Sequence, residues 1–337
     1  MIEYLYTHKS KYISGSGMDY AKALQKHKLN PKTFPKKELL CMFVQNPSSE
    51  EIKEISRDFS VEEKYFSKFR NDTRSLRYSF NPLVFSYTDY YMDNANLIRM
   101  ARLLFAIKEN VVLLVVADES KYFQELFNRV KDNVIKRRLK SEAFLLYEFL
   151  HQDATENYDV LERMDDKITA LEQRIIENKQ ADTLLLKEIM NIKKELIRMN
   201  KRLWASSKVI FTIKKDLTSL KLTHEELSLL DDIYDTLLHQ IDLIETQKET
   251  VTDYLEIFTT NVSNRLAVIS NELNVVMKKM AALTIIIMVP TLIAGIYGSN
   301  FHYLPEITWQ YGYLYMWIAM ILTAGITYGL FHKKGWI

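Results

Sequence analysis

Proline and glycine are both absent from residues 83–289. They are the strongest helix punctuators, so a stretch of about 200 residues without either favours long, uninterrupted helices. Of the eight glycines, Gly15 and Gly17 lie near the N-terminus and the other six lie at Gly295 or beyond. Cysteine is nearly missing: Cys41 stands alone, which excludes an internal disulfide framework. Its apolar neighbours suggest a packed strand residue, not a reactive thiol. Neither sign of charge is in excess. The chain has 45 Lys+Arg against 43 Asp+Glu, a net charge of +2, which argues against a dedicated nucleic-acid binder. No apolar run of signal-peptide length opens the sequence, so whatever precedes the apolar C-terminal quarter is expected to stay in the cytoplasm. Enzyme motifs are missing too. There is no His-Glu-x-x-His and no phosphate-binding glycine loop, and the seven histidines do not cluster at metal-ligand spacing. No catalytic residue is assigned, and an enzyme is not expected.

What is present is sorted along the chain. Residues 1–138 read as a cytoplasmic α/β domain. The apolar run 39–44, ending at Asn46-Pro47, suits a buried strand. Ser48 or Ser49 then caps a helix with Glu50, Glu51 and Glu54 in its first turns, where acids complement the dipole. Ser60 opens a second helix. Residues 83–87 and 111–116 are further strands, and a helix after Asp118 carries Phe123, Leu126, Phe127 and Val130 on one face. Residues 139–222 read as helical arms with a turn at 180–182. The second arm is basic at Lys187, Lys193, Lys194, Arg198, Lys201 and Arg202, either as a solvated face or as a field-shaping surface beside an ion path. Residues 223–279 read as a stalk helix. Its apolar residues Val251, Leu255, Phe258, Val262, Leu266, Ile269, Leu273, Val276 and Met280 recur in steps of three and four, a heptad-like seam. Continuous to Tyr297, this helix would be about 110 Å long. A single chain cannot easily bury such a seam, so oligomerisation is expected.

Residues 280–305 and 307–331 contain no Asp, Glu, Lys or Arg. Each is long enough to cross a bilayer, which takes about 17–25 apolar residues. Residues 280–300 are therefore assigned as a first span, 301–310 as an external loop, 311–332 as a second span and 333–337 as a basic tail. Lys278 and Lys279 precede the first span and Lys333 and Lys334 follow the second, so both termini are expected on the cytoplasmic side of the cell or inner membrane. Tyr303, Trp309, Tyr311 and Tyr313 fit an outer aromatic belt.

Tyr297-Gly298-Ser299-Asn300 closes the first span, and Pro305-Glu306 lies in the loop. Together with the two spans, these residues resemble the CorA family of magnesium channels, whose signature is Tyr-Gly-Met-Asn. Here Gly298 and Asn300 match and Ser299 replaces the methionine. The stretch from Ser270 to Asn274, followed by Met277-Lys278, and the tail from Lys333 to Ile337 are also similar. The resemblance implies an α+β cytoplasmic domain with long helical arms and stalk, two transmembrane helices, and a homopentamer in the lipid bilayer. It implies that Mg2+ is both transported and regulatory, that Gly298, Ser299 and Asn300 form the filter, and that Glu306 sits in the ion-attracting loop. The residues it aims at the axis are Asn274, Met277, Met280, Thr284, Met288, Thr291 and Gly295, which share one helical face with Gly298.

That stripe alternates amides or hydroxyls with soft apolar residues and contains no carboxylate. Magnesium gives up its waters reluctantly, so neutral oxygens would hold the hydrated ion without trapping it. Met277 and Met280 would form apolar rings that gate by dewetting. Ser299 leaves Co2+, Ni2+ and Zn2+ open. The acids Asp232 and Asp235 resemble the place where the family puts a regulatory metal ligand, with Asp89 and Asp93 as partners from an adjacent subunit. Converging carboxylates repel, and a cation between them removes the repulsion. Two alternatives remain: a zinc transporter of the same superfamily, coupled to protons or not, and a membrane-anchored coiled-coil interaction protein that transports nothing.

Overall fold

The computed structural model describes residues 1–8, 11–17, 35, 38–71, 75–93, 97–138, 141–177, 183–215, 220, 222–300 and 308–337. It divides into two compact units, Met1–Asn178 with Asp182–Glu256, and Lys179–Ala181 with Ile257–Ile337.

The first unit is built on a seven-stranded mixed sheet in the order β2-β1-β3-β7-β6-β5-β4. The strands are β1 (Ile2–His8), β2 (Lys11–Gly17), β3 (Leu40–Gln45), β4 (Arg77–Phe80), β5 (Leu83–Met92), β6 (Ile98–Lys108) and β7 (Val111–Val116). Strands β3 and β7 pair in parallel, and the other neighbours pair antiparallel. Both are buried along their whole length, as expected of central strands covered on both faces. Cys41 lies inside β3, where burial pushes its thiol up to about 12, so it is an inert core residue.

Alternation of side chains gives the sheet two apolar faces. On one, Leu40, Met42 and Val44 join Leu113 and Val115 against Ile55, Phe59, Phe66 and Phe69 of α1 (Ser49–Phe59) and α2 (Glu63–Asn71). On the other, Phe43 stacks on Phe127 of α3 (Lys121–Arg137) at 5.0 Å, and Phe105 meets Phe149 of α4 (Glu142–Glu177) edge-on at 5.3 Å. Helix α1 starts as the sequence suggests. Glu51 N donates to Ser48 Oγ at 3.2 Å and Ser48 N donates to Glu51 Oε2 at 2.8 Å, a reciprocal cap.

The sequence reading missed β1, β2, β4 and β6. The hairpin of β1 and β2 buries Ile2, Tyr4 and Leu5 against β3. The turn expected at 180–182 lies outside the described residues. Helix α5 (Thr183–Lys214) runs antiparallel to α6 (His224–Tyr297): Asn200 bonds Glu245 at 2.9 Å, Phe211 meets Tyr234, and Lys214 pairs with Asp231. Helix α6 begins at a second reciprocal cap. Thr223 N donates to Glu226 Oε2 at 2.8 Å, and Glu226 N donates to Thr223 Oγ1 at 3.3 Å.

The second unit holds the remainder of α6 and α7 (Gly312–Lys333). Both helices contain a window long and apolar enough to cross a membrane, and almost none of either window is buried. Pro290 sits inside α6 without breaking it. Helix α7 stops at Gly335, whose φ of +68° favours a residue without Cβ. Trp336 N reaches back to Phe331 O at 3.0 Å, and the two rings stack at 5.3 Å.

Candidate functional site

Asn274, Met277, Met280, Thr284, Met288, Thr291 and Gly295 all fall on α6, with Gly298 just past its end. Steps of three and four residues place them on one face, and every one of them is exposed. Such exposure is unusual for Met277, Met280 and Met288, which keep 69%, 60% and 57% of their surface open. Thr284 donates its hydroxyl proton to Met280 O at 2.9 Å, and Thr291 donates to Ile287 O at 2.8 Å. Each hydroxyl thus spends its one proton on its own helix and offers lone pairs as acceptors. No Asp, Glu, Lys, Arg or His lies between Met280 and Asn300.

The helix end is tightly tied. Gly298 N donates to Ala294 O at 2.8 Å, and Ser299 N donates to Ile296 O at 3.2 Å. Ser299 Oγ donates to the same carbonyl at 2.6 Å, so this hydroxyl caps the last turn and keeps its lone pairs as acceptors. A Cβ at Gly298 would stand 3.2 Å from Ala294 O, tighter than ordinary contact. Asn300 is exposed beyond this turn. Glu306 lies outside the described residues.

The acidic candidates do not converge within one chain, and no group of three metal-ligating side chains exists among the described residues. Asp232 and Asp235 are exposed on α6. Asp93 accepts from Leu97 N at 2.9 Å and from Arg99 Nε at 2.8 Å, beside a cleft of about 700 Å³ that Asp118 and Glu119 also line. Asp89 is a correction. It is 0% exposed, within β5 and facing the interior, so it offers no carboxylate to an adjacent subunit.

Asp89 instead meets Asp153 of α4, which is equally buried. The two carboxyls and the Tyr87 hydroxyl interact, yet none of the four carboxyl oxygens has a hydrogen bond of ordinary geometry. Burial pushes Asp89 well above the usual carboxylate range, and the neighbouring Asp153 pushes it further. Burial raises Asp153 to about 7, against hydrogen bonding from Asp89 and Tyr87. Sequence reasoning missed this pair, because nothing local links two acids on different elements.

The pattern that defines the CorA-like Mg2+ transporter protein family matches residues 41–333. The cobalt/magnesium transport protein CorA of Thermotoga maritima is 28% identical over 247 residues, 73% of this chain and 68% of that protein. The magnesium transport protein CorA of Helicobacter pylori is 42% identical over 78 residues, 23% of this chain and 24% of that protein. Among solved structures, the complete CorA magnesium transporter of Methanocaldococcus jannaschii has the same fold. Its TM-score is 0.64 at 21% identity, over 100% of this chain and 99% of that one. The ZntB cytoplasmic domain of Vibrio parahaemolyticus is similar at a TM-score of 0.56 and 11% identity, covering 78% of this chain and 98% of that one. With the family pattern running from β3 through the end of α7, over a fold and C-terminal helices of the same kind, this chain belongs to the CorA-like Mg2+ transporter family.

Proposed function

We propose that the chain carries divalent cations across the cell or inner membrane, magnesium first and cobalt with it, as a homopentamer in the lipid bilayer. The single observation that carries this is the uncharged, exposed face of α6 from Asn274 to Gly298, ending at Ser299 and Asn300. Repeated around an axis, that face lines a passage with acceptor oxygens and methionine rings. Acceptor oxygens bind the water hydrogens of a hydrated ion without stripping its shell, which suits an ion that dehydrates reluctantly. In this reading 280–300 and 311–332 span the membrane, 301–310 with Glu306 lies outside, and both termini are cytoplasmic. The cytoplasmic part comprises the α/β domain 1–138, the arms 139–222 and the stalk 223–279. Self-association is supported by the lower seam of the second unit, where Leu266, Leu273 and Met280 leave 62%, 61% and 60% of their surface exposed.

Gating by cytoplasmic divalent ions belongs to the same proposal. Asp232 and Asp235 of one copy stand as the ligands, with Asp93 of a neighbour, and a bound cation relieves their repulsion. A second reading, zinc transport, is favoured by Ser299, whose acceptor oxygen stands where the family signature has a methionine. Vesicle flux tests these together. The reconstituted protein should admit Mg2+ and Co2+, high internal Mg2+ should slow entry, and Asn300→Ala should remove at least most of the flux. Zn2+ entry driven by a pH gradient, with no Mg2+ entry, selects the second reading. No divalent flux at all leaves the membrane-anchored interaction protein.

A further inference from the structure

The exposed side of α5 is not a mixed polar surface. Lys187, Lys194, Lys201 and Lys208 recur every seven residues along it, with Lys215 just past its end, all exposed, and none is in a salt bridge among the described residues. Between them, also every seven residues, stand Met190, Ile197, Trp204 and Phe211. Each is about half open, with Trp204 at 52%. Steps of three and four merge the two sets into one stripe of alternating lysine and apolar side chains. The opposite side of the helix, from Leu185 through Leu196 to Leu203, is buried in the first unit.

The first part of α6 carries the complement. Asp242, Glu249 and Asp253, beyond the Asp232 and Asp235 pair assigned above to the cation, lie on one exposed face at steps of seven and four. None of them is in a salt bridge among the described residues. Each chain therefore bears one cationic stripe and one anionic stripe of matching period.

We propose that the α5 stripe of one copy docks on the α6 acidic stripe of a second copy. This rests on the self-association in the reading above and assigns it a surface. Face-to-face pairing of like stripes is disfavoured, since α5 on α5 opposes lysines and α6 on α6 opposes acids. Pairing α5 with α6 joins two different patches, so the contact is head-to-tail, the kind that closes into a ring. The levels agree as well. In the antiparallel register of Asn200 with Glu245 and Lys214 with Asp231, Lys194 stands level with Val251, between Glu249 and Asp253, and Lys201 stands level with Ile244, next to Asp242. A neighbour rotated about an axis along these helices keeps those levels. Trp204 and Ile197 then cover the apolar stems of the facing side chains. A membrane surface fits less well, because single apolar residues separated by lysines offer no continuous face to insert.

The test uses the full-length protein in detergent and in anionic vesicles. One copy carries Lys194→Cys and a second, differently tagged copy carries Glu249→Cys. Cys41 is buried and stays silent. Mild oxidation of the co-expressed pair should give a covalent dimer, while Lys194→Cys alone gives none. Lys194→Glu with Lys201→Glu, added to the Glu249→Cys copy, leaves its acidic stripe intact and should not abolish the cross-link. Placing Asp242→Lys and Asp253→Lys on that copy should abolish it. An assembled protein without the pair-specific dimer overturns this inference alone. A monomer by native mass spectrometry overturns the self-association as well. Quenching of Trp204 by brominated anionic lipid, with the other three tryptophans changed to Phe, overturns it in favour of the membrane.

Discussion

Asp89 and Asp153 form a buried carboxyl pair in the first unit. Both are fully buried, and their neighbours include Tyr87, Tyr122 and a further acid, Glu156. Two carboxylates cannot both ionise in such a place, so the folded chain holds a proton that the unfolded chain has lost. The folded value of Asp153 is raised from 3.8 to about 7. The pair's contribution to stability is therefore full below about pH 4 and declines as pH rises through 7. Asp153→Asn keeps the shape and removes one of the two titrating carboxyls, together with its push on Asp89. It should raise the unfolding temperature at pH 8 and leave it nearly unchanged at pH 4, as read by thermal unfolding in detergent. A wild-type curve that gains stability from pH 5 to 8 relative to the variant contradicts the assignment. Cys41, also buried, should resist maleimide until the chain unfolds.

Among the elements, the start of α6 is held by side chains from two helix starts. Thr223 and Glu226 cap each other, and Glu226 also accepts from Ser141 at the head of α4, so one carboxylate ties two helix starts together. Thr223→Ala removes one acceptor for the orphan amides and should cost about 1 kcal/mol, measured by denaturant unfolding. Glu226→Ala should cost more, because Ser141 loses its partner as well. Elements of this kind were readable from local signals: Ser48 before Glu51, Asp118 ahead of α3, and the run from Thr223 that meets no breaker before Pro290. Strand β6 was not. Its apolar run from Leu103 to Ile107 lies between Arg102 and Lys108, and so short a run without alternation does not separate strand from helix. Only pairing with β5 on one side and β7 on the other makes it a strand. The hairpin of β1 and β2 was hidden for a similar reason, since Ser14, Gly15, Ser16 and Gly17 have weak strand preference until β1 supplies the ladder.

At the scale of the whole molecule, the second unit leaves an apolar seam uncovered. If the chain self-associates as proposed, Leu266→Asp with Leu273→Asp should shift the detergent-solubilised protein to smaller species in native mass spectrometry, whereas Leu185→Asp, in the buried side of α5, should unfold the first unit instead. An oligomer that survives the double change would place its contacts elsewhere.

Composition and short-range order alone determined that this chain has long helices, two uncharged stretches long enough to span a bilayer with basic flanks, and an amide and hydroxyl stripe closing at a glycine, a serine and an asparagine. These are properties of neighbouring residues, and helix geometry converts spacing into a face without help from the rest of the fold. The tertiary structure decided what depends on residues far apart in sequence: the strand pairing that creates β1 and β6, the burial that removes Asp89 from the surface and sets it against Asp153, and which sides of α5 and α6 remain open. Burial and pairing energies arise only when distant segments meet, so no local pattern carries them.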